Sequence, residues 1–295
     1  MTRSPQEITP AGEEIRAWNA SRLYRWLLVA PIAFIGLFFL WPIMSVIHRS
    51  FVDPVPGLGN YERVLFAGPY LKSLWITLQT AAIVTVLCLV IAYPVAYVMA
   101  RARGNLFALM TAMVVTSLWT SVVIRSYAWM VVFQRRGVLN QALVATGITE
   151  HPVNFLPGTL AVNVGMVHIM LPFMILPLLA NMRSIDRSLV LAAGVMGASP
   201  WAAFRRVFLP LSIPGISAGS ALVFMMSLGF FITPSLLGGP RHMMAAVMIE
   251  QQANRLLDWG LAAALSSVLL LLTVSIYLLY LRVVRHAEGG FAHAR

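Results

Sequence analysis

Residues 184–216, SIDRSLVLAAGVMGASPWAAFRRVFLPLSIPGI, form a polar, arginine-bearing interruption in a chain made otherwise of apolar runs. A short side-chain oxygen at Ser184 or Asp186 can accept the free amides of a first helical turn, and Gly197 can end that helix in the left-handed region. Ser199-Pro200 then restarts a helix, with the serine as cap and the proline at the first position, where its missing N–H is harmless. Leu209-Pro210 is the expected stop. The first helix carries apolar Leu189, Ala193 and Met196 at i, i+4 and i+7, with basic Arg187, Arg205 and Arg206 around it. Against the alternative of an ordinary amphipathic connector, this pattern predicts a helix, glycine turn, helix device built to seat in a partner at a membrane surface.

The rest of the chain explains why such a device stands out. Of 295 residues, 59% are hydrophobic and only 11% charged, and the mean hydropathy is +0.81. That is too apolar for a soluble globule and fits repeated bilayer spans. Six are expected, over residues 24–47, 71–100, 105–133, 158–181, 212–237 and 259–284, so the fold class is all-α, a polytopic membrane protein. The run 24–47 is too long for a signal-peptide core and no small-residue cleavage site follows it, so it is expected to remain in the mature protein. The second run exceeds the hydrocarbon thickness, which predicts tilt, projection beyond the membrane or a kink at Pro94.

This divides the chain into a polar tail (1–22), a first span with its loop (23–70), a five-span core (71–284) that contains the polar loop 184–210, and a second tail (285–295). An even number of spans puts both termini on one side. Thirteen of the 21 Lys and Arg fall on that side, among them Arg101, Arg103, Arg183, Arg187, Arg205 and Arg206, which predicts that the termini and the loop are cytoplasmic. The net charge of +11 sits beside apolar spans and is expected to meet anionic lipid; no nucleic-acid partner is implied. Cys88 is the single cysteine, so no intrachain disulfide and no cysteine metal cluster can form. With one lysine, Lys72, and no GxxxxGK[ST] stretch, the chain cannot cradle ATP, and any ATPase must be a separate subunit. No catalytic residue, metal ligand or bound cofactor is expected.

The loop also resembles a known family. Ala192-Ala193, three residues, Gly197, nine residues, Val207, one residue and Leu209-Pro210 are similar to the EAA loop of permease subunits in binding-protein-dependent ABC importers, except that Leu191 stands where the family usually has glutamate. The runs GMVHIMLPFMILPL (165–178), GASPWAAFRRVFLPLSIPGI (197–216) and FFITPSLLGGP (230–240) resemble the spermidine/putrescine branch. The resemblance implies a type I permease core of the cytoplasmic (inner) membrane. It also implies a second related permease, an ATPase dimer that binds ATP and Mg²⁺, and an extracytoplasmic solute-binding protein. It assigns ATPase coupling to Ala192, Ala193, Gly197, Ser199, Arg205, Arg206, Leu209 and Pro210.

Polar groups inside a bilayer are costly and mark candidate transport residues. Arg125 either snorkels to the outer interface or faces a cavity. His168 fits a helix-to-helix hydrogen bond better than a proton carrier. Phe230 and Phe231, before the helix-breaking Thr233-Pro234, fit a gate or a lipid-facing belt equally. Gly215-x-x-x-Gly219 permits close helix approach, within the chain or across a dimer. Ser235 occupies a position where polyamine-type relatives can hold aspartate; with no acid in any span, this favours a carboxylate-bearing, amino-acid-derived solute, with a polyamine as the next candidate. A stand-alone secondary carrier or channel is the alternative class, but neither inverted repeats nor a midplane acid is visible. A membrane enzyme has no supporting motif.

Overall fold

The structure is a computed structural model and describes residues 27–29 and 31–292, with side chains through residue 282. The expected tail 1–22, residues 23–26, which begin the first span, and residues 293–295 lie outside the described residues. The helices are α1 (Leu27–Val52), α2 (Gly59–Phe66), α3 (Gly68–Arg101), α4 (Gly104–Trp119), α5 (Val122–Phe133), α6 (Val138–Ala145), α7 (Thr159–Ser184), α8 (Arg187–Val195), α9 (Pro200–Leu228), α10 (Ile232–Leu237), α11 (Ala245–Glu250) and α12 (Trp259–Ala292). No strand occurs among the described residues.

Helix α7 is the axis. Its buried residues Val162, Met166, Ile169, Met170, Met174, Leu178 and Met182 recur at helical spacing over most of its circumference. Within its most apolar stretch 61% of residues are buried, against 28% for α3, α9 and α12 and none for α1. On α3, Val84, Cys88, Ala92, Ala96 and Met99 form one fully buried stripe against it. In a bilayer, lipid competes equally for apolar surface, so close contact of small and flexible side chains holds such a pair. The other faces of α1, α3 and α12 expose large apolar residues, as lipid-facing surfaces do.

At one end of this core, α1, α2 and α12 meet in a polar corner. The Asn60 amide donates to the carbonyls of Ser50 (3.1 Å) and Asp53 (2.7 Å), and Arg63 pairs with Asp258 at 2.9 Å.

Several expected boundaries are corrected. The span 105–133 is two helices, α4 and α5, whose continuation through α6 lies at 96° to α4. At the break the Thr120 hydroxyl bonds back to the Thr116 carbonyl (3.2 Å), and Thr120 and Ser121 turn extended. The span 212–237 also breaks: α9 ends at Leu228, and α10 restarts past Gly229, because Pro234 has no N–H to continue the ladder and its ring crowds the preceding turn. Conversely, Leu209-Pro210 does not stop its helix. Residues Phe204–Phe208 form a π-helical turn in which the Leu209 N–H reaches back to the Phe204 carbonyl, and this widened turn admits Pro210 without ending α9. Pro94 lies inside an unbroken α3 of 34 residues, about 51 Å long at about 1.5 Å per residue. Helix α12 continues past 284 through Ala292, so most of the expected tail 285–295 is helical.

Candidate functional site

The coupling loop forms as its caps dictate. The Asp186 carboxylate accepts the Ser188 N–H at 2.9 Å to start α8, and the bonds to Ser188 hold that carboxyl below its ordinary range. This contribution to the cap is present above the usual carboxylate range and is lost as pH falls through the lowered value. After Val195 the chain turns at Gly197, φ +85°, where the Ala198 N–H returns to the Ala193 carbonyl (3.0 Å). The Ser199 Oγ then accepts the Ala202 N–H (3.2 Å), with Pro200 at the first position of α9. Of the two alternatives at the start, Asp186 is the cap and Ser184 ends α7.

The loop therefore presents a compact tip. Val195 is 91% exposed and Met196 85%, with Leu191 and Trp201 also bare; contiguous apolar exposure of this kind marks a docking face. Ala192, Gly197, Ser199, Arg205 and Arg206 are exposed beside it, and Ala193 is half-buried. Leu209 and Pro210 belong instead to the shaft of α9.

Behind the tip lies an aromatic joint that the sequence reading did not pick out. Phe204 stacks on Trp201 (5.5 Å between centroids) and on Phe208 (6.0 Å), and meets Tyr97 and Tyr93 edge-on at 5.7 and 6.2 Å. Tyr93 also shares a 3.0 Å hydrogen bond with Ser212. The signal was present as Tyr93/Tyr97 at i, i+4 and Trp201/Phe204/Phe208 at i, i+3, i+7, yet only packing pairs the two sets. The joint ties the loop to α3, so a force on the tip reaches the core.

At the opposite end of the bundle the candidate transport residues separate into groups. Arg125 is buried, 7% exposed, at the bend between α4 and α5; its Nη1 donates to Ser117 Oγ at 3.4 Å and its Nε has no partner among the described residues. His168 Nδ1 accepts the Trp129 Nε1–H at 3.1 Å, linking α7 to α5. Ser126 shares a 2.8 Å hydrogen bond with Thr233, linking α5 to α10. Gly215 and Gly219 face Asn181 and Met174 of α7, so the small-residue stripe packs within the chain.

Gly165 seats α10 on α7. A Cβ there would lie 2.8 Å from Thr233 Cγ2 and 2.9 Å from Leu237 Cδ1. Gly165→Val is therefore expected to cost about 1–3 kcal/mol through overpacking, read as a lower melting temperature of the detergent-solubilised chain. An unchanged melting temperature would mean that α10 yields freely.

Phe231 and Ser235 line one cavity of about 300 Å³ together with Glu250, Gln251 and Arg255. Phe230 packs on the core beside them, and Arg125 and His168 do not line this cavity. Glu250, Gln251 and Arg255 were missed because they stand in a polar connector; only the fold of α11 and its π-helical continuation Gln251–Arg255 brings them beside α10. No group of His, Cys, Asp or Glu able to hold a metal occurs among the described residues.

Comparison with known proteins agrees with this architecture. The family model of the binding-protein-dependent transport system inner membrane component matches residues 18–289. The spermidine/putrescine transport system permease protein PotB of Salmonella typhimurium (strain SL1344) is 32% identical over 276 residues, covering 90% of this chain and 96% of the relative. The PotB of Haemophilus influenzae is 35% identical over 221 residues, 74% of this chain and 77% of the relative. Among solved structures, a bacterial ABC transporter involved in the import of the acidic polysaccharide alginate superposes with a TM-score of 0.71 at 18% identity, over 92% of this chain and 99% of that chain. The chain belongs to the binding-protein-dependent transport system inner membrane components: it is a multi-pass, inner-membrane permease subunit of an ABC importer, a transport component and not an enzyme.

Proposed function

We propose that this chain is one of two related permeases in an importer whose ATPase dimer, binding ATP and Mg²⁺, drives the tip of α8, and whose external binding protein delivers a small amine of the polyamine class. The coupling loop and both termini are then cytoplasmic, in line with the thirteen Lys and Arg on that side. The coupling set Ala192, Ala193, Gly197, Ser199, Arg205 and Arg206 lies on or beside the docking face, while Leu209 and Pro210 transmit from the shaft.

The observation that carries the solute reading is Glu250. It is half-buried, has no ion-pair partner among the described residues, and shares its cavity with the Phe231 ring and Ser235. A carboxylate and an aromatic face are what an alkylammonium group requires, and Glu250 supplies the acid that Ser235 lacks. The relatives named for spermidine and putrescine support the same class. Arg255 in the same cavity favours a second reading, an amino-acid-derived solute carrying both an amine and a carboxylate.

Calorimetry on the cognate binding protein separates the two: micromolar binding of putrescine or spermidine supports the first, and binding of carboxylate-bearing solutes alone supports the second. In proteoliposomes holding the assembled transporter, Glu250→Gln is expected to lower amine uptake about tenfold, equivalent to about 1.4 kcal/mol, with ATPase co-purification unchanged. Undiminished uptake would remove Glu250 from the path.

A further inference from the structure

Behind α8, at the coupling-loop end of the bundle, lies a second cavity, about 470 Å³, walled by Arg101, Arg183 and Arg187 with Met182, Val190 and Phe208 among its apolar neighbours. The three cations come from three elements: the last residue of α3, the last turn of α7 and the first residue of α8. Arg101 lies 3.9 Å above the Tyr97 ring and Arg183 3.6 Å above the Phe107 ring. Stacking occupies the face of a guanidinium and leaves its in-plane N–H donors available. Among the described residues, only Arg187 of the three donates a hydrogen bond to the protein, to the Ala100 carbonyl at 3.1 Å. No carboxylate pairs with any of the three among the described residues.

Arginines at helix C-termini are favoured by the helix dipole, which accounts for Arg101 and Arg183 singly but not for Arg187 at the start of α8. It does not account for three of them around one cavity without a counter-charge, since each raises the energy of the others unless an anion enters. The depth of the cavity identifies the anion. Arg101 and Arg183 close two apolar spans, which places them in the headgroup layer, and basic pockets between span ends on the cytoplasmic side suit phosphate-bearing lipids. The mixed lining offers donors for a phosphodiester and apolar surface for the glycerol and upper acyl chain.

We infer that this cavity binds the phosphodiester headgroup of an anionic membrane phospholipid, and that the bound headgroup staples α8 to the ends of α3 and α7. Because the ligand joins the coupling helix to the core, anionic lipid strengthens transmission between the docking face and the spans.

The test uses the assembled transporter in phosphatidylcholine nanodiscs, with and without phosphatidylglycerol, and reads lipid retained in native mass spectrometry. Phosphatidylglycerol should be retained about tenfold or more above phosphatidylcholine, and the preference should fall by a similar factor in Arg101→Gln/Arg183→Gln. Arg241→Gln, at the opposite end, should keep it, and rising salt should weaken it. The wild-type comparison of the two lipids stands even where the double variant folds poorly. Equal retention of both lipids, or a preference untouched by the double variant, would overturn the inference. So would a preference seen only in the ATPase-free permease, which would assign the cavity to an acidic side chain of the ATPase, or displacement by inorganic phosphate at equal concentration, which would assign it to a free anion.

Discussion

Phe204→Ala should separate ATP hydrolysis from transport. The ring touches four others, Tyr93, Tyr97, Trp201 and Phe208, and aromatic pairs contribute about 0.5–1.5 kcal/mol each beyond burial. Truncating a fully buried phenylalanine to alanine costs about 3–5 kcal/mol, and Phe204, half-buried, should lose less. Here that loss falls on the joint between the loop and α3, while the apolar spans keep their hydropathy and membrane insertion survives. Basal ATP hydrolysis is expected to persist, its stimulation by the loaded binding protein to disappear, and solute uptake to fall by more than tenfold. Phe204→Leu, which refills part of the space, should recover a portion. Parallel measurement of hydrolysis and uptake in proteoliposomes decides the matter, and a variant with full stimulation and full uptake would show that the aromatic joint transmits nothing.

Gly197→Val acts at the turn of the proposed ATPase-docking loop itself. No atom lies within 4 Å of the position a Cβ would take, so the substitution meets open space and its whole cost arises from φ +85°. A side chain in the left-handed region costs about 1–2 kcal/mol, and valine, being β-branched, is the less tolerant choice. The turn is expected to relax toward negative φ, swinging α8 out of line with α9 and spoiling the docking face around Val195 and Met196. Co-purification of the ATPase should drop several-fold, with insertion unaffected, whereas Gly197→Asn, which adopts the left-handed region more readily, should retain most of it. Undiminished co-purification of the valine variant would sink this account of the turn.

The class of this protein and the construction of its loop were legible in the chain alone, because both rest on local chemistry. Apolar runs must be helices where no water can satisfy the backbone. Asp186, Gly197, Ser199 and Pro200 set caps and a turn through atoms only a few residues away, and the structure has them so. Where spans break and which polar groups meet depends instead on how the helices pack. Residues 105–133 and 212–237 are as apolar as an unbroken span, yet the chain bends at Thr120-Ser121, where Arg125 reaches back to Ser117, and α10 turns away to put Thr233 on Ser126. Leu209-Pro210 reads as a stop until the π-helical turn before it makes room for the proline. The aromatic joint, the Glu250 cavity and the arginine-walled cavity each draw residues from elements far apart in the chain. Hydropathy reports how well a residue suits the bilayer, whereas these sites depend on which faces pack together, and that is fixed only when α7 is surrounded.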